Sequence, residues 1–540
     1  MARSAVPEPV SPVSWPSMLD LLERLPAHPY VACAAVVLLY CLCGAVYRLY
    51  FSPLASFPGP RLAALTLWYE YYYDGIKGGQ YTFKLKELHQ QYGPIIRISP
   101  HELHVNDPAF IDTLYASGGK KRDKDKFYTQ QFGLSQAGFG TIPHDLHRLR
   151  RSAFNRFFSR SSVSKLEPSI QRVVNKLCAQ LEKHAGTGRP VNLCDAFGCM
   201  ATDVVSRYAF GYSYNFLDSG TFLPNLTKGI DAGMQMGATV KQFPWLLSFL
   251  HALPETWTRT LLPDMAPYLD FQRSMMQAID RVHADERARA GKQPAAGTTT
   301  TIFHEILRGD LPEHEKQTPR LWQEGQAVIG AGTETVNWAL CVSVYYLLAQ
   351  PATLARLAAE LRQAMPDPAA VPPWAALERR PYLSATIAEG LRLSYGLATR
   401  LARVSPDEPM RFRSSDGGVD RLVPAGVPVG MTAVHVHHDP RIFPDSEAFA
   451  PERWLDGRGE RRRDLDGYLL SFSKGNRQCL GMHLAYAEMH IALTTVIRRF
   501  GERMELFETG IEDVRVQRDY FVPKTKVGTK GIRVLIKGKA

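Results

Sequence analysis

SFSKGNRQCLG, residues 471–481, is the stretch on which the reading of this chain turns. It sets one cysteine, Cys479, among two glycines and two cations, Lys474 and Arg477. Directly behind it runs MHLAYAEMHIALTTVIRRF, residues 482–500, with no proline or glycine, which predicts a long helix. A thiolate at a helix N-terminus is stabilised by the dipole and by nearby cations. Gly475 and Gly481 carry no side-chain bulk, so a flat group could come close to the backbone. One thiolate without a partner cysteine or a nearby histidine does not make a four-ligand zinc site. It suits an iron whose in-plane ligands come from a porphyrin. Taken alone, the cysteine reads first as a buried structural residue in a loop.

Around this stretch, Phe472, Gly475, Arg477, Cys479 and Gly481 match F-x-x-G-x-R-x-C-x-G at every fixed position. This resembles the haem-ligand signature of the cytochrome P450 family. Further segments are similar to that family in the right order. AGTETVNWAL, residues 331–340, resembles its oxygen-activating helix, with Glu334 and Thr335 as the acid and alcohol that relay protons. Its small residues Gly330, Ala331 and Gly332 would loosen a helix there. EGLR, residues 389–392, puts Glu389 and Arg392 on one helical face. With Arg453 of FAPERW (449–454) they resemble the family's structural lock, a charge triad that supports the fold.

The resemblance also implies cations for the haem carboxylates. Arg400 of RLARVSP stands where members commonly contact one. In HDLHRLRRSAFNRFFS (144–159), His147 and Arg151 align with a W-x-x-x-R helix; His144 and Arg148 share the spacing, so the register stays open. HVHHDP (435–440) reads as strand with His435 and His437 alternating, a structural stretch and not a metal site. GRGERRRDLDG (457–467) is a charge run, either a solvated loop or part of a docking face for a reductase.

The bounds agree. The chain has 540 residues, 45% hydrophobic and 22% charged, enough for a large core. Its net charge of +11 (64 basic against 53 acidic) points to an anionic surface or an acidic partner. The basic residues are scattered and no nucleic-acid motif appears. Eight cysteines in so long a chain are no disulfide scaffold; Cys178, Cys194, Cys199 and Cys341 read as small buried hydrophobes.

Between Arg24 and Arg48 there is no Asp, Glu, Lys or Arg, a run long enough to cross a bilayer. A cleaved signal peptide fits less well, because the run starts late and lacks a small-residue cleavage site. The cations that follow it place the C-terminal part on the cytosolic side, so the sequon at Asn225 would stay unglycosylated. FSPLASFPGP then makes a stiff connector. The expected organisation is a tail (1–27), a transmembrane anchor (28–50), a proline-rich hinge (51–60) and one catalytic domain (61–540). That domain is expected to be mainly α with small peripheral β-sheets, in the cytochrome P450 fold. Helices are expected over 145–159, 162–184, 193–210, 319–349, 352–365, 382–394 and 482–500, and short strands near 94–100, 102–107, 410–413 and 427–436.

What the family resemblance implies is a membrane-anchored haem-thiolate monooxygenase of the endoplasmic reticulum. Its cofactor would be haem b, and it would use O2 and electrons from NADPH through NADPH-cytochrome P450 reductase, with cytochrome b5 as a further partner. FPGPRLAALT and HRLRRSAFNRFFS look like fungal members of secondary metabolism, of the trichodiene oxygenase and pisatin demethylase types. A lipophilic terpenoid, polyketide or alkaloid substrate follows. The alternatives are a haem-thiolate isomerase or desaturase that inserts no oxygen, and a non-catalytic membrane haem-binding protein.

Overall fold

The computed structural model describes residues 29–223, 226–261, 263–289 and 301–539. The N-terminal tail 1–27 and Asn225 therefore lie outside the described residues. Contacts divide the chain into two units, one ending at Ser56 and one beginning at Phe57.

The first unit carries helix α1, Pro29–Val46, continued by a wider turn over Tyr47–Phe51. Tyr30–Phe51 is long and apolar enough to cross a membrane, and none of it is buried. It is a candidate membrane span. In the second unit the expected connector is shorter than the prolines suggest. The Arg97 amide donates to the Pro58 carbonyl at 2.7 Å, so the chain from Phe57 onward is already part of the fold.

Helices dominate this second unit. The ones used below are α2 (Tyr81–Tyr92), α3 (His144–Asn155), α4 (Arg160–Glu182), α5 (Leu193–Phe210), α6 (Thr227–Gln235) and α7 (Ala266–Arg289), then α8 (Thr318–Ala349), α9 (Pro351–Ala364), α10 (Pro381–Ser394) and α11 (Met482–Phe500). Each helix expected from periodicity is present within about two residues, apart from the C-terminal end of the first, which stops at Asn155. α8 is apolar enough to pass for a span, but it is mostly buried and forms the spine of the core. It packs with α5 and α11 in one large cluster that includes Val205, Ile329, Val336, Leu340 and Leu484.

The strands are short and peripheral. A five-stranded sheet has the order β1 (Ile95–Arg97), β2 (Leu103–Val105), β8 (Pro428–Gly430), β5 (Arg403–Val404) and β3 (Asp123–Lys124). Only β2 and β8 pair in parallel, with Leu103 opposite Val429. β6 (Met410–Arg413) and β7 (Asp420–Val423) form one hairpin; β10 (Arg518–Tyr520) and β11 (Val522–Lys524) form another. β4 (Val191–Asn192), β12 (Arg533–Ile536) and β9 (Met504–Leu506) make a third sheet. The expected strand 427–436 ends at Gly430; Ala433–Val436 is a short helix. Its histidines are held by distant groups: His435 Nε2 pairs with Thr82 O at 2.9 Å and His437 Nδ1 with Arg392 O at 2.8 Å.

Candidate haem-thiolate site

The 471–481 loop is built by its own main chain. The Cys479 amide donates to Phe472 O at 2.8 Å, and Gln478 N–H to Gly475 O at 3.0 Å. Gly475 has φ +69°, and a Cβ there would lie 2.1 Å from Tyr115 O and 2.3 Å from Ala116 O. It is a glycine because the loop lies against residues 115–116 of the protein itself. Gly481 differs: a Cβ there meets nothing within 4 Å, so this side of the cysteine is open. The Cys479 thiol is accessible at the head of α11, three residues before its first turn.

The electrostatics depart from the expectation. Lys474 does not serve the thiol; its Nζ pairs with Asp112 at 2.6 Å. Arg477 is buried and donates to three carbonyls, those of Arg122 (3.3 Å), Thr141 (2.7 Å) and Ile142 (2.7 Å). The cation that lowers the Cys479 pKa is Arg151 on α3, whose guanidinium donates to Gln478 O at 2.6 Å. Desolvation still outweighs it and pushes the thiol above its ordinary value. A protonated, high-pKa thiol makes a poor nucleophile, but a metal can displace its proton.

The two candidate pairs on α3 are placed differently. His147 is buried and Arg151 reaches the cysteine loop, whereas Arg148 is exposed. His144 takes the Arg122 amide at 3.3 Å.

Arg400 is not where the sequence reading put it. Buried, it pairs with Glu102 at 2.8 Å and with Glu70 at 2.7 Å, and Glu70 also holds Lys241. These are carboxylates of the protein, so Arg400 serves a separate internal ion cluster. Its place beside the cysteine loop goes to Arg403 on β5, which sequence reasoning missed. Arg403 donates to the carbonyls of Leu401 (3.2 Å) and Ala402 (3.0 Å). Next to it on β3, Lys124 donates to Phe139 O. Burial lowers the pKa of all three cations, Lys124, Arg403 and Arg477, and their mutual repulsion lowers Lys124 and Arg477 further, Arg477 to about 9. Among the described residues their hydrogen bonds go to carbonyls and none to a carboxylate. Buried charge is costly unless neutralised, so this cluster is chemically suited to an anionic group. The two carboxylates of a haem fit that demand.

On α8 a stripe is left open. A Cβ at Gly330 would meet nothing within 4 Å, and Ala331 is exposed midway along a mostly buried helix. Gly332 serves packing, since a Cβ there would lie 2.9 Å from Val205. The helix stays regular through this segment, contrary to the expected loosening. Thr335 Oγ1 donates to Ala331 O at 2.8 Å. Glu334 is buried, its Oε1 makes no hydrogen bond, and burial raises its pKa to about 7.

The structure brings Glu389, Arg392 and Arg453 together. Glu389 and Arg392 are fully buried and joined by two bonds of 2.8 Å; Arg453 Nε reaches Glu389 at 3.0 Å. Trp454 Nε1 and the Ala450 amide also donate to this carboxylate, at 2.8 and 2.9 Å. Arg392 donates onward to the carbonyls of His437, Ser446 and Ala448. The run 457–467 spends most of its charge internally, through Arg461–Asp466, Arg462–Asp464 and Arg463–Asp466.

Comparison with known proteins agrees with this geometry. Residues 58–514 match the family model described as Cytochrome P450. The chain is 43% identical to Cytochrome P450 monooxygenase MO6277 of Ascocoryne sarcoides, over 93% of this chain and 97% of that one. It is 42% identical to Cytochrome P450 monooxygenase tpcC of Cochliobolus heterostrophus, over 91% and 94%. It is 40% identical to tryptophan 6-hydroxylase fscE of Fusarium equiseti, over 93% and 96%.

Proposed function

The chain belongs to the cytochrome P450 family, and from that premise we propose how its residues divide the work of a haem-thiolate monooxygenase. Membership makes it an oxidoreductase that uses haem, O2 and electrons from a reductase partner on a small-molecule substrate. Its relatives are fungal monooxygenases of secondary-metabolite pathways. Haem, when bound, supplies the oxygen chemistry; this chain supplies ligand, counter-charge, orientation and protons.

Cys479 would hold the haem iron through its sulfur, from the open Gly481 side. The thiol would give up its proton on binding iron, and Arg151 would stabilise the charge left on the sulfur. Arg403, Arg477 and Lys124 would neutralise the haem carboxylates, with His147 buried beside them. Phe472 and Gly475 keep the loop shape: the first through its carbonyl to Cys479, the second through its fit against Tyr115. The stripe at Gly330 and Ala331 gives a flat group room against α8. Glu334 holds a proton near neutral pH, and the Thr335 hydroxyl offers its lone pairs while its O–H donates to Ala331 O. Glu389, Arg392 and Arg453 hold the scaffold.

The observation that carries this reading is a set of buried cations whose hydrogen bonds go to carbonyls and not to carboxylates, beside an accessible thiol. On this reading the electron donor is NADPH-cytochrome P450 reductase, with cytochrome b5 as an accessory, and the candidate span supports a location on the endoplasmic reticulum membrane. The substrate is a lipophilic terpenoid, polyketide or alkaloid; the relative named for tryptophan brings indoles within that range. Membranes holding the protein and a reductase are supplied with NADPH, labelled dioxygen and a metabolite extract. A product carrying one labelled oxygen supports the reading. Loss of two hydrogens without label, or unchanged mass, replaces it with desaturation or isomerisation.

A further inference from the structure

Glu334 on α8 faces two elements that are distant in sequence. α6 contributes Asp231 and, one turn earlier, Thr227. β11 contributes Lys524. Lys524 Nζ forms an ion pair with Asp231 Oδ1, and its charge also acts on Glu334. One lysine thus serves two carboxyl groups. With one positive charge and two acids in a desolvated place, both acids cannot be comfortably ionised, so one tends to keep a proton. Asp231 has the direct contact. Glu334 is the deeper of the two and has an oxygen without a hydrogen bond.

The pair is also the wetter end. The side chains of Lys524 and Asp231 are 21% and 30% exposed, against 7% for Glu334 as a residue. Thr227 lies against Glu334 on the same side. On α5, Cys194 and Asp195 face the neighbouring Cys341 of α8; Cys341 Sγ is 3.2 Å from Cys194 Sγ and also feels Glu334. No other charged group among the described residues acts on Glu334 appreciably.

We propose that Asp231 and Lys524 form the water end of the proton route into Glu334, with the lysine moving between the two carboxylates and so setting which of them is protonated. This rests on the reading of Glu334 as the proton-handling acid. Both are positioning residues: they act through Glu334. A lysine suits this task because its ammonium is a compact charge on a flexible stem.

The test is an infrared pH titration of the holoenzyme in nanodiscs, following the carbonyl band of a protonated carboxyl group. Glu334→Gln identifies the band by removing it, and the wild-type midpoint is expected near pH 7. Lys524→Met removes the counter-charge and moves the midpoint up by about one pH unit. Asp231→Asn frees the lysine for Glu334 and moves it down by a similar amount. Lys524→Arg restores the wild-type value. A purely structural role would not produce shifts of opposite sign. The reduced carbon monoxide spectrum checks that each variant keeps its haem site; should the lysine variant lose it, Asp231→Asn alone still decides by its direction. No shift, shifts of one sign, or a band that survives Glu334→Gln overturns the proposal. Peroxide released per NADPH separates the underlying reading: if the band moves as stated while Glu334→Gln releases peroxide like the wild type, proton delivery by Glu334 is what fails.

Discussion

Arg400→Ala and Arg403→Ala should fail in different ways, although the residues are three apart. Arg400 is bound to Glu102 and Glu70, all three nearly inaccessible. Removing it leaves Glu102 buried without its partner, while Glu70 keeps Lys241. Breaking a buried pair in this way costs about 3–5 kcal/mol, a large share of the roughly 5–15 kcal/mol that holds a typical domain. The urea midpoint should fall steeply, and haem loss should follow unfolding. Arg403 has no carboxylate to abandon. Its removal relieves repulsion on Lys124 and Arg477, so the unfolding midpoint of the haem-free fold should hold or rise slightly. On the proposed assignment it also removes one charge-assisted contact to a haem carboxylate, worth about 1.5–3 kcal/mol, or roughly 10- to 150-fold in affinity. Urea unfolding and haem transfer to an acceptor apoprotein separate the two effects. The assignment is refuted if Arg403→Ala holds haem like the wild type while Arg400→Ala sheds it without loss of stability.

Glu389→Leu strips Arg392, Arg453, Trp454 and the Ala450 amide of one acceptor and leaves Arg392 buried and unpaired; about 3–5 kcal/mol is lost and the yield of folded holoprotein collapses, whereas a wild-type urea midpoint would show that the lock carries no load. Gly475→Ala forces a Cβ onto Tyr115 O at 2.1 Å and should lower haem occupancy without touching the thiol. His89, His104, His435 and His437 are buried neutral, with pKa values displaced below 6.5 by desolvation, to about 4 for His89 and about 3 for His435 and His437. The unfolded chain binds protons that the fold refuses, so stability is lost as pH falls below about 6.5, by about 1.4 kcal/mol per histidine at one unit below. Each loss levels off once pH drops under the folded value. Urea midpoints between pH 7.5 and 5.5 measure this, and a flat profile would contradict it.

Much of the fold was legible because α8, α10 and α11 are long apolar patterns free of internal proline, and α8 is mostly buried in the core. The lock was legible because Glu389 and Arg392 are neighbours on one turn. What escaped was decided by contacts distant in sequence. Arg400 and Arg403 sit three apart in an extended segment, so they point to opposite sides, and nothing local says that Glu70 and Glu102 wait on one side and a charge-hungry cluster on the other. Lys474 and Arg477 looked like the thiol's cations because they are close in sequence, yet Asp112 and three carbonyls claim them, and Arg151 arrives from 328 residues away. The valines and histidines of 433–438 alternate like a strand, but side-chain bonds to Thr82, Arg392 and Tyr395 hold them in a helical turn and its end.

The central claim is that Cys479 binds the haem iron through sulfur. The most direct test is the difference spectrum of the dithionite-reduced protein with carbon monoxide, for the wild type and for Cys479→Ser. The wild type should give the red-shifted Soret band of thiolate-ligated haem, and the variant should lose it while keeping its urea midpoint. A red-shifted band that survives the substitution, or a wild-type band at the position given by a nitrogen ligand, would contradict the account.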